Sequence, residues 1–167
     1  MIERIYTIGG YGFTPKAFFR ELGDAHIDVF CDIRQRRGMR GQVFSFLNSQ
    51  RLQQRLGEIH IPYVHLRAFA PTSSIRQRQK EEDENRGIGK RSREALGRAF
   101  IDAYCSEILA NKKPDDLLLR LPENVSRPCL FCVERHPEAC HRSLMAEWIA
   151  KSVSIPVIHL SPSQCPS

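Results

Sequence analysis

Apolar and polar positions along this chain repeat with two periods, and the switches between them mark the elements. Arg4-Ile5-Tyr6-Thr7-Ile8 alternates and stops at Gly9-Gly10, which predicts a strand closed by a glycine turn. Thr14-Pro15 then opens a helix, because threonine caps and proline fits the first helical position; Phe18, Phe19 and Leu22 supply its inward face. Residues 26–33 are a near-continuous apolar run, as expected of a strand buried on both faces. Asn48 to Leu56 reads as a helix, with Leu52 and Leu56 four apart. Residues 61–66 form a short third strand with Pro62 at its start. Leu96, Phe100, Tyr104 and Ile108 recur every four residues and predict a helix from Ser92 to Leu109. Residues 127–133 are a fourth strand. Pro137 starts a helix whose apolar face is Cys140, Leu144, Trp148 and Ile149, and residues 155–160 are a last strand.

The pattern dissolves between Ala70 and Arg93. There Arg76, Arg78, Lys80, Arg86, Lys90, Arg91 and Arg93 stand against Glu81, Glu82, Asp83 and Glu84. This charged stretch is expected to be a loop insertion or lid, the alternative being a solvated helix laced with ion pairs. Strands alternating with helices imply crossover connections. The expected architecture is α/β, a Rossmann-like three-layer sandwich with a mostly parallel sheet of about five strands. A single domain over 1–160, with a frayed tail over 161–167, completes it.

Composition narrows the class. Hydrophobic residues make up 41% and charged residues 26% of the 167, as in globular proteins. No apolar run approaches the roughly 20 residues that span a bilayer, so no membrane association is expected. Met1-Ile2-Glu3-Arg4 leads directly into the first strand without a basic and then apolar leader, and a cytoplasmic location is expected. The six cysteines should then stay reduced. The net charge of +6, supplied mostly by arginine, suits a phosphate-bearing partner, nucleotide or nucleic acid, without requiring one.

The chemistry-bearing residues follow the strand ends. In open parallel sheets, ligands bind at the carboxyl ends of strands. The first strand ends at Gly9, the second at Asp32 and Arg34, the third near His65 and Arg67, and the fourth at Cys132 and Glu134; His141 and Arg142 open the helix that follows. Asp32, Glu134 and His141 are the candidates for moving protons, and Cys132 is a candidate nucleophile if a neighbouring cation lowers its pKa. Gly9, Arg34, Arg36, Arg142, His65 and Arg67 are the candidates for holding a ligand. The loop holding Arg36, Arg37 and Arg40, loosened by Gly38 and Gly41, could contact phosphates.

Two motifs are discounted. Cys129-x2-Cys132 with Cys140-His141 has the look of a zinc set. Residues three apart on a strand point to opposite faces, however, and Cys140-His141 are adjacent on a helix, so no metal ligands are assigned and zinc stays a minor alternative. Cys129-x5-Arg135 has the spacing of a phosphatase loop but lacks its glycines.

Cys132-Val133-Glu134 followed by Cys140-His141-Arg142, with Val157-Ile158-His159-Leu160 near the end, resembles the signature of the domain-of-unknown-function 488 family. Thr7-Ile8-Gly9, Asp32-Ile33-Arg34, the Phe44 region and Ile61-Pro62-Tyr63-Val64-His65-Leu66 follow in the family's order. The resemblance implies a compact α/β domain of unassigned activity, with motif positions at Gly9, Asp32, Arg34, Cys132, Glu134, Cys140, His141 and Arg142. Gly10-Tyr11-Gly12, the segment from Arg67 to Thr72 and the loop after Arg34 depart from the usual pattern. These departures bear on substrate choice more than on fold.

From the shared rim of acids and arginines, the expected function is an enzyme, a hydrolase or transferase, acting on a phosphate-bearing substrate. The alternatives are a non-catalytic nucleotide- or nucleic-acid-binding module and a metal-dependent hydrolase. Cofactor and oligomeric state are open.

Overall fold

The computed structural model describes residues 1–162; the tail expected over 161–167 therefore lies mostly outside the described residues. The chain runs β1 (Ile5–Ile8), α1 (Pro15–Asp24), β2 (Val29–Asp32), α2 (Ser49–Glu58), β3 (Tyr63–His65), α3 (Ser73–Arg86), α4 (Arg98–Ala103), α5 (Pro114–Leu118), β4 (Pro128–Phe131), α6 (His141–Val153) and β5 (Val157–Leu160), with short 3-10 turns between several of them. Among the described residues, no helix is long and apolar enough to cross a membrane.

The strands form one sheet in the order β3-β2-β4-β1-β5, and every pairing is parallel. Helices flank it, giving the three-layer, Rossmann-like α/β sandwich. All four residues of β1, β2 and β4 are buried, as strands packed on both faces require. α1 lays Phe18 against Phe30 of β2 and Phe131 of β4, while α6 packs against β1, β4 and β5.

The register does the positioning. Ile8 lies beside Phe131, and Phe131 beside Asp32. The three central strands therefore end level, and the residues that leave them, Gly9, Cys132 and Ile33, emerge side by side. Gly9 is needed there for room: a Cβ on it would lie 2.1 Å from the Glu134 carbonyl oxygen. The glycine turn expected after β1 thus also serves the close approach of the β1 and β4 exits.

Three expected elements are corrected. The 70–93 stretch is not a loop. Thr72 Oγ1 accepts from the Ile75 amide and caps α3, and Gly87, with φ of 64°, closes it. Its buried stripe is Ile75, Gln79 and Asp83, four apart, and Lys80–Glu84 and Arg86–Glu82 pairs lie on its outer side, so the solvated-helix alternative holds in part. The helix expected from Ser92 begins only at Arg98, after Gly97, whose missing side chain makes room for Glu82. It widens to a π-helical turn over Tyr104–Leu109. The helix expected from Pro137 begins at His141. It buries His141, Arg142, Met145, Ala146, Ile149 and Ala150, whereas Leu144 and Trp148 are only half-buried. α5, short and poor in periodicity, had no counterpart in the expected elements.

Candidate functional site

At the end of β2, Asp32 is fully buried and Arg34 nearly so, and they face each other. Arg34 Nε and Nη2 donate to the two Asp32 oxygens at 2.9 and 2.8 Å, and the Arg34 amide donates to the same carboxylate at 3.1 Å. The guanidinium lies 4.7 Å from the centre of the Phe131 ring. Tyr63 Oη donates to Asp32 at 2.7 Å and accepts from Arg37 at 3.4 Å. Burial, with the Asp32 charge adding to it, raises the Tyr63 phenol above its ordinary pKa against the pull of Arg37. His65 Nε2 donates to the Arg34 carbonyl at 2.9 Å. Asp32 and Arg34 are thus an internal ion pair, with His65 bonded to the Arg34 backbone rather than to either side chain.

Glu134, at the exit of β4, is buried, and two cations from the segment after α3 reach it: Arg93 Nη2 at 3.4 Å and Lys90 Nζ at 3.6 Å. Arg93 is held in turn by Asp83 at 2.6 Å, Asp83 by Gln79 at 2.7 Å, and Gln79 Oε1 accepts from the Gly97 amide at 2.8 Å. The polar stripe of α3 therefore ends at the candidate site. Burial, assisted by the charge of Cys140, lifts the Glu134 carboxyl above its ordinary range in spite of Lys90 and Arg93. Arg142 is 1% exposed and donates to the carbonyls of Glu134 and Arg135 at 2.6 and 3.0 Å. The role expected of it, holding an incoming anion, gives way to fixing this exit backbone.

Cys132, Cys140 and His141 are buried, and their ligating atoms lie within 4.8 Å of one another. Three of the four residues of the discounted zinc set therefore converge, closer than their spacing suggested, for two local reasons. β4 ends at Phe131, so Cys132 has left the pleat. Cys140 is the N-cap of α6, with φ −141° and ψ 143°, so its side chain is not bound to a helix face. Cys129 alone stays out, in the middle of β4. A hydrogen bond to Cys140, and burial after it, push the Cys132 thiol well up, which disfavours the nucleophilic part expected of Cys132. Burial acts to raise Cys140 as well, but the bond from Cys132 and the neighbouring His141 and Arg142 outweigh it and hold that thiol well below its ordinary range.

Outside this buried layer lies an exposed cationic rim. Arg36, Arg40, Arg67, Lys90, Arg91 and Arg135 are all exposed. Arg91 crosses the edge to lie 5.3 and 5.5 Å from the ring centres of Tyr11 and Phe44, which are in contact with each other. A polar cavity of about 620 Å³ adjoins the basic loop, lined by Gly41, Gln42, Ser45, Asn48, Gln50 and Arg51. A second, more apolar one of about 800 Å³ lies at the amino edge, between Met1, Leu118, Leu119 and Val153. Neither is lined by Asp32, Glu134 or His141.

The sequence-predicted residues thus share one edge but divide into layers. Asp32, Arg34, Cys132, Glu134, His141 and Arg142 lie beneath, and Arg36 and Arg67 lie outside. Sequence reasoning passed over Tyr63, Arg93 and Asp83 as site residues, and had Cys140 only as a motif position and in the discounted zinc set. The i,i+4 spacing of Gln79 and Asp83 under Ile75 was the available signal for Asp83, masked by the polar character of that stripe. Four of the six buried side-chain polar atoms without a partner among the described residues belong to Arg34, Arg93, Glu134 and Arg142, which concentrates unused hydrogen-bonding capacity here.

Fold and site together define an all-parallel α/β domain whose thiol, imidazole, carboxylate and guanidinium groups gather at the carboxyl edge of the sheet. Residues 14–149 match the family described as Domain of unknown function DUF488, and the chain belongs to that family. No curated protein and no solved structure matches it.

Proposed function

We propose that this chain is an enzyme acting on a phosphate-bearing substrate, a nucleotide or a nucleic acid, at the carboxyl edge of its sheet. The observation that carries the reading is the exposed Lys90 reaching the incompletely satisfied Glu134 at 3.6 Å, at the edge where the segments bearing the exposed Arg36 and Arg40 leave β2 and the exposed Arg135 leaves β4, with Arg91 over Tyr11 and Phe44. Exposed arginines contact phosphates without first giving up a buried partner. The Arg91 guanidinium over Tyr11 and Phe44 adds a flat surface suited to a base. Glu134, a buried carboxyl that burial lifts above its ordinary range, serves as the proton donor or acceptor. His141 and the buried arginines hold the exit backbones in place. The reaction is a hydrolysis or group transfer in the cytoplasm, where the free thiols stay reduced.

A second reading, a binding module without catalysis, is favoured by the closed Asp32–Arg34 pair. The two readings part on Glu134→Gln. Incubation with nucleoside triphosphates and short oligonucleotides, with substrate loss followed by chromatography, should show turnover by the native protein. The variant should lose at least tenfold in rate while still giving a ligand-dependent rise in melting temperature. Equal turnover by both proteins contradicts the role of Glu134; binding without turnover by either supports the module.

A further inference from the structure

We propose that Cys132 Sγ, Cys140 Sγ and His141 Nδ1 form a binding site for a thiolate-preferring divalent cation, zinc foremost. The three atoms lie within 4.8 Å of one another, and Cys140 Sγ is 3.8 Å from His141 Nδ1. A tetrahedral zinc at its usual bond lengths holds sulfur and nitrogen ligands roughly 3.5 Å apart, so the set closes on an ion with only a small contraction.

The imidazole is already committed to the right nitrogen. His141 Nε2 lies 3.0 Å from the carbonyl oxygen of Ile33, which can only accept, so Nε2 carries a hydrogen and Nδ1, 3.8 Å from Cys140 Sγ, is the nitrogen left to take a metal. A backbone carbonyl holding the far nitrogen is the usual outer support of a metal-bound histidine. The Tyr104 ring, 5.3 Å from the imidazole and itself anchored by its hydroxyl to the Phe69 carbonyl, fixes the ring plane from the other side.

Donor chemistry selects the ion. Two sulfurs and one nitrogen disfavour magnesium and calcium, which take oxygen ligands, and favour zinc. Glu134, two residues from Cys132, brings to the same exit a buried carboxylate oxygen with no partner among the described residues. The site ties together the ends of β2 and β4 and the start of α6, so an ion there would cross-link the floor beneath the cationic rim. It does not rest on the substrate reading, because metal binding is measured with no nucleotide present.

The test is metal analysis of the full-length protein purified under reducing conditions without chelator, followed by chelation and cobalt titration. About one equivalent of metal is expected, along with a one-to-one cobalt complex bearing the strong sulfur-to-cobalt absorption and intense visible bands of a tetrahedral thiolate site. Cys140→Ser and His141→Ala should each weaken cobalt binding at least tenfold, whereas Cys31→Ser and Cys129→Ser keep it unchanged. The native titration does not depend on any variant folding. Absence of a saturable cobalt complex in the reduced native protein overturns the proposal. So does loss of binding in Cys129→Ser with retention in Cys140→Ser, or a Cys132–Cys140 disulfide as the resting state in mass spectra of alkylated protein from reducing cells.

Discussion

Asp32 has no exposed surface and every donor around it points inward: two nitrogens of Arg34, the Arg34 amide and the Tyr63 hydroxyl. Removing one member of a buried pair strands the charge of the other, and that typically costs about 3–5 kcal/mol. Asp32→Ala should therefore lower unfolding stability by about that amount in a urea titration, with any loss of activity tracking the unfolded fraction. Unchanged stability would return Asp32 to the solvent-facing chemistry its position first suggested. At this scale the sequence placed these residues at one edge of the sheet and blurred their contacts. Asp32, Arg34, Glu134, His141 and Arg142 were legible because each follows a strand end or opens a helix. That Arg142 spends itself on the carbonyls of Glu134 and Arg135 was not legible, because backbone acceptors leave no trace in residue identity. The convergence of Cys140 with Cys132 turned on an extended backbone at one N-cap, a detail finer than periodicity resolves.

Adjacent strands β2 and β4 carry the buried thiols Cys31 and Cys129 through the centre of the sheet. Burial, with the charges of Asp28 and Asp32 adding to it, pushes the Cys31 thiol far up, and burial does the same to Cys129. The native state keeps these protons where the unfolded chain, with ordinary thiols, begins to lose them near pH 8.5. The unfolded state then binds fewer protons, so stability holds below that pH and falls above it, by at most about 1.4 kcal/mol per pH unit per thiol. Melting curves from pH 7 to pH 10 should show this decline, and Cys31→Ala, whatever its offset, should make the decline shallower. An unaltered slope would mean that other groups govern the alkaline limit. Periodicity served the elements well where the buried face is apolar, as in β1, β2, β4 and α1. It failed for α3, whose inward stripe beyond Ile75 is Gln79 and Asp83. A helix that buries its polar side toward a charged site has no hydrophobic stripe to read. The start of α4 was misplaced because Leu96 continues the four-residue spacing across the N-cap Gly97, and the helix begins only at Arg98.

For the whole molecule, alternation of strands and helices was enough to anticipate a layered, parallel α/β domain. The order β3-β2-β4-β1-β5 was not, because pairing partners distant in sequence are set by which crossovers pack. That order matters, since it inserts β4 between β1 and β2 and so puts Glu134 and the thiols at the centre of the edge. It also brings the segment after α3 over the same edge, joining Lys90 and Arg91 to the arginines after β2. Exposed cations from the segments after β2, α3 and β4 thereby stand at the same edge as the buried Glu134 and thiols. Phosphate contacts by such a rim release counterions, and affinity for a single strand then falls with salt by roughly 0.7 in the logarithmic slope per contact. The most direct test is fluorescence anisotropy of a short labelled oligonucleotide across a salt series, for the native protein and for Arg36→Gln/Arg40→Gln/Arg91→Gln, whose three altered side chains are exposed and leave the floor intact. The account predicts saturable binding by the native protein at low salt, and a variant at least tenfold weaker with a slope reduced by about two. No binding at low salt, or identical slopes in the two proteins, would contradict it.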